Sequence, residues 1–534
     1  MSLEASRAML SHLPYELLAS ISTYLPNRDL KSLRLTCKAF CDVVKLRLDR
    51  VFLSANPRNI AVLLAVADHE TYRGGVQEII WDDALLTDDN DQIYAPGEEL
   101  LAVAAAENCP VWFARTRKDN LDELVSRKGE DVDRPDHVAR AEQVASGFPL
   151  GASWAYFQKL LKEQQEVIAS GADEAALRHA LERFPSLKRI TVTPAAHGWL
   201  FNPLYETPMI RDFPYGFHYR IPRGWPAAPE PDIIRIRAGR DHWRGASMVM
   251  RVLSQQQQQH AVSELVLDNS ELNSGFNCHI FDEPCDDYTN LRALLRKPGF
   301  KRIDLSLLVT GMRGQGWHSF RNGNIRRALE GAADLEHVCL RTNVHYDPDA
   351  SATQLEMFGG VENDIPLLDI FPVDKWQRLG HFGLSGFLVT ETNVLSLLAA
   401  LPPTLRSVEL SFLLFLEGGG GDYRSLLDAI RATLGWRERS PGARPRVSIA
   451  VPAWPYRTGR AVWVDREVNA FLYGDGANPF GSPNGSSGNQ VFHGTGVERD
   501  AFEPAYERPW SDPITLMKMG YLKKSPFFFS DITA

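Results

Sequence analysis

Residues 181–193 read "LERFPSLKRITVT": the end of a helical pattern, a proline turn, a leucine, then a short β-branched run. The phrase returns as "LEGAADLEHVCLR" at 329–341 and as "LAALPPTLRSVELSF" at 398–412. Each copy is helix, turn, leucine, strand. Leu, Ala and Ile at helical spacing alternate with runs of period two, which is the pattern of a layered α/β protein.

Further strand-like runs lie at Val51–Ser54, Val76–Trp81, Val262–Asp268, Phe300–Leu308, Leu379–Gly386 and Arg446–Val451. Helical segments such as "EAALRHALERF", "NIRRALEGAA", "NVLSLLAAL" and "YRSLLDAIRATL" separate many of them. The recurring phrase resembles a divergent leucine-rich repeat, which implies a solenoid with strands on a concave face and helices outside. The period is irregular, so long insertions are expected; a mixed α/β domain without solenoid geometry is the competing reading. Strand alternation predicts that Leu187, Ile190 and Val192 are buried, as are Ile303, Leu305 and Leu307, and Val408 and Leu410. Asp304 and Ser306, and Glu409 and Ser411, then face outward. An acidic lining from Asp304 and Glu409 suggests a basic segment of a protein substrate.

Upstream, "LPYELLASISTYLPNRDLKSLRLTCKAF" occupies residues 13–40. Pro14 suits a first helical turn, where its missing N–H costs nothing. Leu17, Leu18, Ile21 and Leu25 follow at helical spacing, and Pro26 stops the run. Asn27 and Asp29 read as turn and N-cap residues of a second helix carrying Leu30, Leu33 and Leu35. Thr36 or Cys37 opens a third, with Phe40, Val43, Val44 and Leu48 on its apolar side. Three short helices make a poor independent core, and such a unit is completed by a neighbour or a partner.

The Leu13-Pro14 opening, Glu16-Leu17-Leu18, Ile21, Tyr24-Leu25, Asp29-Leu30 and the "LRLTCKAF" of 33–40 resemble the F-box, over residues 10–50. With the repeats behind it, the chain resembles a fungal-type F-box protein. The resemblance implies a non-catalytic substrate-recognition subunit of an SCF-type cullin–RING ubiquitin ligase, acting in ubiquitin-dependent protein degradation. Leu13, Pro14, Leu17, Leu18, Ile21, Leu25, Leu30 and Leu33 would then contact a Skp-type adaptor. A scaffold that binds the adaptor outside any ligase is the alternative. The expected organisation is a three-helix F-box at 10–50, an irregular leucine-rich-repeat-like α/β solenoid with long insertions at 51–475, and a flexible loop and tail at 476–534.

Composition bounds the rest. The chain has 534 residues, beyond the size of one compact core. A net charge of −9 argues against a general phosphate-binding surface, so no nucleic-acid partner is expected. Six cysteines are too sparse for a disulfide framework, which places the chain in the cytoplasm or nucleus. There is no secretory h-region and no run of about 18 apolar residues, so no membrane partner is expected. "CHIFDEPCDD" (278–287) offers Cys278, His279, Asp282, Cys285 and Asp286, but not the paired spacing of a zinc site. "FGLSGFL" is not a Gly-x-Ser-x-Gly elbow, and "GMRGQGWHSF" (311–320) lacks a phosphate-loop pattern. No catalytic residue, metal or cofactor is assigned, and an enzyme is the weakest reading. The aromatic, Arg-containing excursion Phe201–Trp225 is a candidate interface, with cover for the sheet edge as the plainer reading.

Overall fold

The computed structural model describes residues 13–88, 97–127, 143, 146–226, 240–257, 260–309, 317–344, 364–416, 420–453, 458–481, 488–492 and 494–521. The strands are β1 (Arg50–Leu53), β2 (Glu78–Asp82), β3 (Arg189–Thr193), β4 (Glu264–Leu267), β5 (Phe276–Asn277), β6 (Arg302–Leu308), β7 (His337–Thr342), β8 (His381–Ser385), β9 (Leu388–Val389), β10 (Ser407–Ser411), β11 (Leu414–Phe415), β12 (Arg446–Ser448), β13 (Ala450–Pro452), β14 (Arg460–Trp463), β15 (Val497–Asp500) and β16 (Glu503–Pro509). The fold is mixed α/β. Its main sheet runs β1-β2-β3-β4-β6-β7-β8-β10-β12, all parallel, with β5 beside β6.

One row of side chains shows why these segments pair as they do. Val51, Ile79, Ile190, Leu265, Ile303, Val338, Phe382, Val408 and Val447 stand opposite one another across the nine strands. All are buried in one continuous core with the helices that follow each strand. A shift by one residue would turn each of them to the other face, so the apolar alternation holds the register. The leucines before the strands, Leu187, Leu335, Leu379 and Leu405, are buried in the same core. Helices Pro57–Asp68, Ala172–Arg183, Arg244–Gln255, Asp286–Leu295, Asn324–Leu329 and Glu391–Ala400 supply its other layer.

The last strand would leave an open edge, and the helix Asp465–Tyr473 closes it. The Val447 N–H donates to Asn469 Oδ1 at 3.0 Å, and Asn469 Nδ2 donates to the Val447 carbonyl at 2.7 Å. The carboxylate of Asp465 accepts from the Ile449 N–H (3.2 Å) and the Ser448 hydroxyl (3.1 Å). One side-chain amide thus stands in for a tenth parallel strand and blunts the edge. Asn469→Leu leaves both Val447 groups unpaired, and a loss of about 1–3 kcal/mol is expected. Urea melts check the magnitude, and faster amide exchange at Val447 shows that the edge is where it falls.

Two segments lie outside the repeating pattern. The excursion Phe201–Trp225 is cover, not a free interface. Phe217, His218, Tyr219 and Trp225 are buried, and of the eight aromatic and histidine side chains of the excursion only Tyr215 is exposed. Phe217 and Tyr219 stack at 5.0 Å. They join Trp112, Phe113 and Phe157 in a second core, built from the insertion between β2 and β3. Aromatic rings carry enough apolar area to make a core even in a proline-rich loop.

The stretch 476–534, expected to be a loop and tail, contains β15 and β16. They complete an antiparallel sheet β13-β14-β15-β16 that runs across the expected boundary at 475. Phe502, in the β15–β16 turn, packs with Ala195 and Leu272, just beyond β3 and β4. Asn202 of the excursion donates to the Phe502 carbonyl (3.0 Å) and to Glu503 (2.9 Å). Both additions therefore lie over the C-terminal ends of the strands. Residues 522–534, with the apolar tail, fall outside the described residues, as do Gln258 and Gln259 of the glutamine run and 311–316 of the glycine-containing loop.

Candidate functional site: an exposed apolar helical face

The N-terminal segment forms α1 (Tyr15–Ser22), α2 (Asn27–Thr36) and α3 (Lys38–Val43). The Pro14 carbonyl accepts from the N–H groups of Leu17 and Leu18, so the proline opens α1 as its chemistry suggests. Pro26, not Asn27, occupies the cap position of α2. Asn27 instead joins the start of α2 to the exit strap: its Oδ1 accepts from the Arg47 N–H at 3.0 Å and its Nδ2 donates to the Arg47 carbonyl. The Arg47 guanidinium donates to the carbonyls of Thr23 and Leu25, after α1. Arg34 does the same for Val44. The third helix stops at Val43, and Leu48 packs on the large core instead of on α3.

Leu18, Leu30, Phe40 and Val44 form the small core of this unit, with Leu13, Leu25 and Leu33 packed against it. Val43 and Leu46 pack there too, while several large apolar residues are left outside. Leu17 is 53% exposed, Ile21 40%, Tyr24 85% and Leu35 87%, and Tyr15 is exposed as well. Pro14, Leu17, Ile21 and Tyr24 follow spacings of three, four and three, one outward stripe. Exposed apolar residues gathered on one face make these helices a candidate interaction surface. Residues 10–50 match the family model described as F-box-like. The chain carries an F-box-like domain. No curated protein matches the chain.

The eight residues expected at the adaptor contact therefore divide. Pro14, Leu17 and Ile21 lie on the F-box-like domain's surface. Leu13, Leu25 and Leu33 are half-buried, and Leu18 and Leu30 hold the domain together from inside. Tyr15, Tyr24 and Leu35 are the surface residues missing from that set. Leu35 is out of phase with Leu30 and Leu33, and that mismatch is the signal that places it outside.

Asp304 and Glu409 do point away from the helix layer, one on β6 and one on β10 in the same cross-strand row. They are not the exposed acidic lining expected, because each is 9% exposed. Arg302 holds Asp304 with two bonds, 3.1 Å from Nε and 2.5 Å from a terminal nitrogen, and His337 Nε2 lies 3.0 Å away. Burial alone raises the Asp304 carboxyl; the bonds from His337 and Arg302 overcome that and hold it well below the usual carboxylate range. Arg341 reaches Glu409 at 3.3 Å. Between the two acids, Cys339 stands opposite Gly383, where a Cβ would lie 2.6 Å from the Cys339 sulfur.

The cluster near Cys278 is also spoken for. His279 Nδ1 lies 2.8 Å from Asp282, and the Ser319 hydroxyl donates to the same carboxylate at 2.5 Å. Among the described residues, no three His, Cys, Asp or Glu side chains are grouped as metal ligands. None of the described helices is long and apolar enough to cross a membrane.

Proposed function

We propose that the chain is a substrate-recognition subunit of an SCF-type cullin–RING ubiquitin ligase. The observation that carries this reading is the exposed apolar face of the F-box-like domain. Pro14, Leu17, Ile21 and Tyr24 dock in a groove of a Skp-type adaptor, as an amphipathic helix docks in a partner. The chain does no chemistry itself. It holds a protein substrate near the ubiquitin-conjugating enzyme and so raises the effective concentration of its lysines. It works in the cytoplasm or nucleus and leads its substrate to degradation. The α/β body supplies recognition. Its strand order follows the chain order from β1 to β12, which supports a leucine-rich-repeat-like stack with insertions.

The test is reconstitution. The full chain, co-expressed with a Skp-type adaptor, cullin and RING subunit, is expected to co-elute with them. The assembled complex is expected to modify a captured protein that the other subunits alone leave untouched. Co-elution without any such modification favours an adaptor-binding scaffold; absence of co-elution overturns both readings.

A further inference from the structure

The second helix of the F-box-like domain has an outward face of its own. On α2, Leu30 and Leu33 pack in the small core, and Arg34 reaches back to the Val44 carbonyl. Those positions fix the inner side. Arg28, Lys31 and Leu35, at spacings of three and four, share the opposite side, and all three are exposed. Leu35 is 87% exposed, more than any other large apolar side chain among the described residues.

The two cations of this face are unpaired. Among the described residues, no ion pair forms at Arg28 or Lys31. The other arginines of the helical unit are tied to backbone carbonyls, Arg34 to Val44 and Arg47 to Thr23 and Leu25. Asp29, the acid nearest in sequence, projects about 100° from Arg28 and on the side away from Lys31.

Charge is also divided unevenly along the chain. Residues 13–50 hold seven Lys and Arg against four Asp and Glu, a net +3, in a chain of net −9. The remaining residues therefore carry −12. An exposed leucine gains free energy when it is covered, and unpaired cations beside it select what covers it. A basic partner would be repelled by this face and drawn to the body. An acidic partner is repelled by the body and drawn to this face, so it arrives at the helical unit already oriented. An apolar seat flanked by carboxylates meets all three side chains at once.

We infer that this α2 face is the second half of the adaptor contact, and that the adaptor surface it meets is acidic around an apolar seat for Leu35. The inference rests on the receptor reading above for the identity of the partner, and adds the chemistry of that partner's surface. Leu35 is the anchor that becomes buried and slows release. Arg28 and Lys31 stay at the rim and speed arrival.

The experiment measures association and dissociation rates of the full chain on an immobilised Skp-type adaptor. Salt is raised from about 20 mM to about 500 mM, which shortens the screening length from about 20 Å to about 4 Å. Wild-type association is expected to slow about tenfold or more over that range. Arg28→Glu with Lys31→Glu is expected to slow association at low salt by about tenfold or more, and to remove most of the salt dependence. Its dissociation is expected to stay within about threefold of the wild type. The helix tolerates the change: both sites are exposed, glutamate is a good helix former, and Arg28 lies in the first turn of α2, where a negative charge is favoured. Circular dichroism and melting temperature check that the variant is folded. Should it unfold, Arg28→Gln with Lys31→Gln is expected to slow association severalfold in a folded chain. Leu35→Ala is expected to speed dissociation about tenfold with association unchanged. Lys159→Glu with Lys162→Glu is the control, placing the same charge change on exposed sites of the body helix Leu150–Ser170. It is expected to slow association less than about threefold.

Association that ignores salt, wild-type association by Arg28→Glu/Lys31→Glu, equal slowing by the body control, or wild-type dissociation by Leu35→Ala overturns this inference and leaves the receptor reading standing. Absence of adaptor capture by the wild type overturns both.

Discussion

Leu17→Ala combined with Ile21→Ala is expected to lower adaptor affinity more than a hundredfold while the F-box-like domain stays folded. Both side chains are exposed in the free chain, so truncating them leaves no cavity, and alanine is the better helix former. In the complex they become buried anchors, and each such anchor is worth about 2 kcal/mol or more. Two of them together exceed a hundredfold in affinity. Leu30→Ala should give a different result. Leu30 is fully buried in a core of four side chains, and a Leu→Ala cavity there costs about 2–5 kcal/mol. A core that small cannot absorb it, so this variant loses adaptor capture because the helices melt. Circular dichroism of the N-terminal unit separates the two cases. The pair Leu13→Ala with Pro14→Ala falls between them, since Leu13 packs on the core and Pro14 opens α1. Wild-type adaptor affinity in Leu17→Ala/Ile21→Ala would overturn the docking face.

The difference between Leu17 and Leu18 shows how far the sequence could be read. Helical spacing groups Leu17, Leu18, Ile21 and Leu25 as one apolar set. Only the positions of α2 and α3 decide which of them turn inward, and that depends on contacts distant in the chain. The strands were legible for the opposite reason. Ile190, Val338 and Val408 each follow a helix and a leucine, Ile303 follows a helix and Phe300, and a local pattern of period two is enough to orient them. Their outward neighbours were placed on the correct face but in the wrong environment. Nothing local to Asp304 announces that Arg302, two residues back on the same face, and His337, on the next strand, will close on it. Nor does the aromatic run at 213–225 announce a second core, whose other half lies a hundred residues upstream.

The charge reversal Asp304→Lys with Glu409→Lys would test an open acidic face as a recognition surface, but it is expected instead to leave the chain unfolded. Asp304→Lys sets an ammonium against Arg302 and His337, and Glu409→Lys sets one against Arg341. Breaking a buried pair by removing one partner costs about 3–5 kcal/mol, because the other charge stays buried and unmet. Two such losses, with repulsion added, consume most of the roughly 5–15 kcal/mol that holds a domain together. The pairing also has a pH signature. The folded-state Asp304 carboxyl lies below its unfolded value, so its contribution is present above the ordinary carboxylate range and lost as pH falls through and below it. Arg302→Leu with Asp304→Leu removes both charges at once. It should fold, since replacing a buried pair by apolar side chains is often neutral, and its acid-side melting curve should be flatter than that of the wild type. Thermal melts at neutral pH and along an acid series measure both. If the double lysine variant melts like the wild type, the row from Asp304 to Glu409 is open to solvent after all, and its acids are again available to a basic partner.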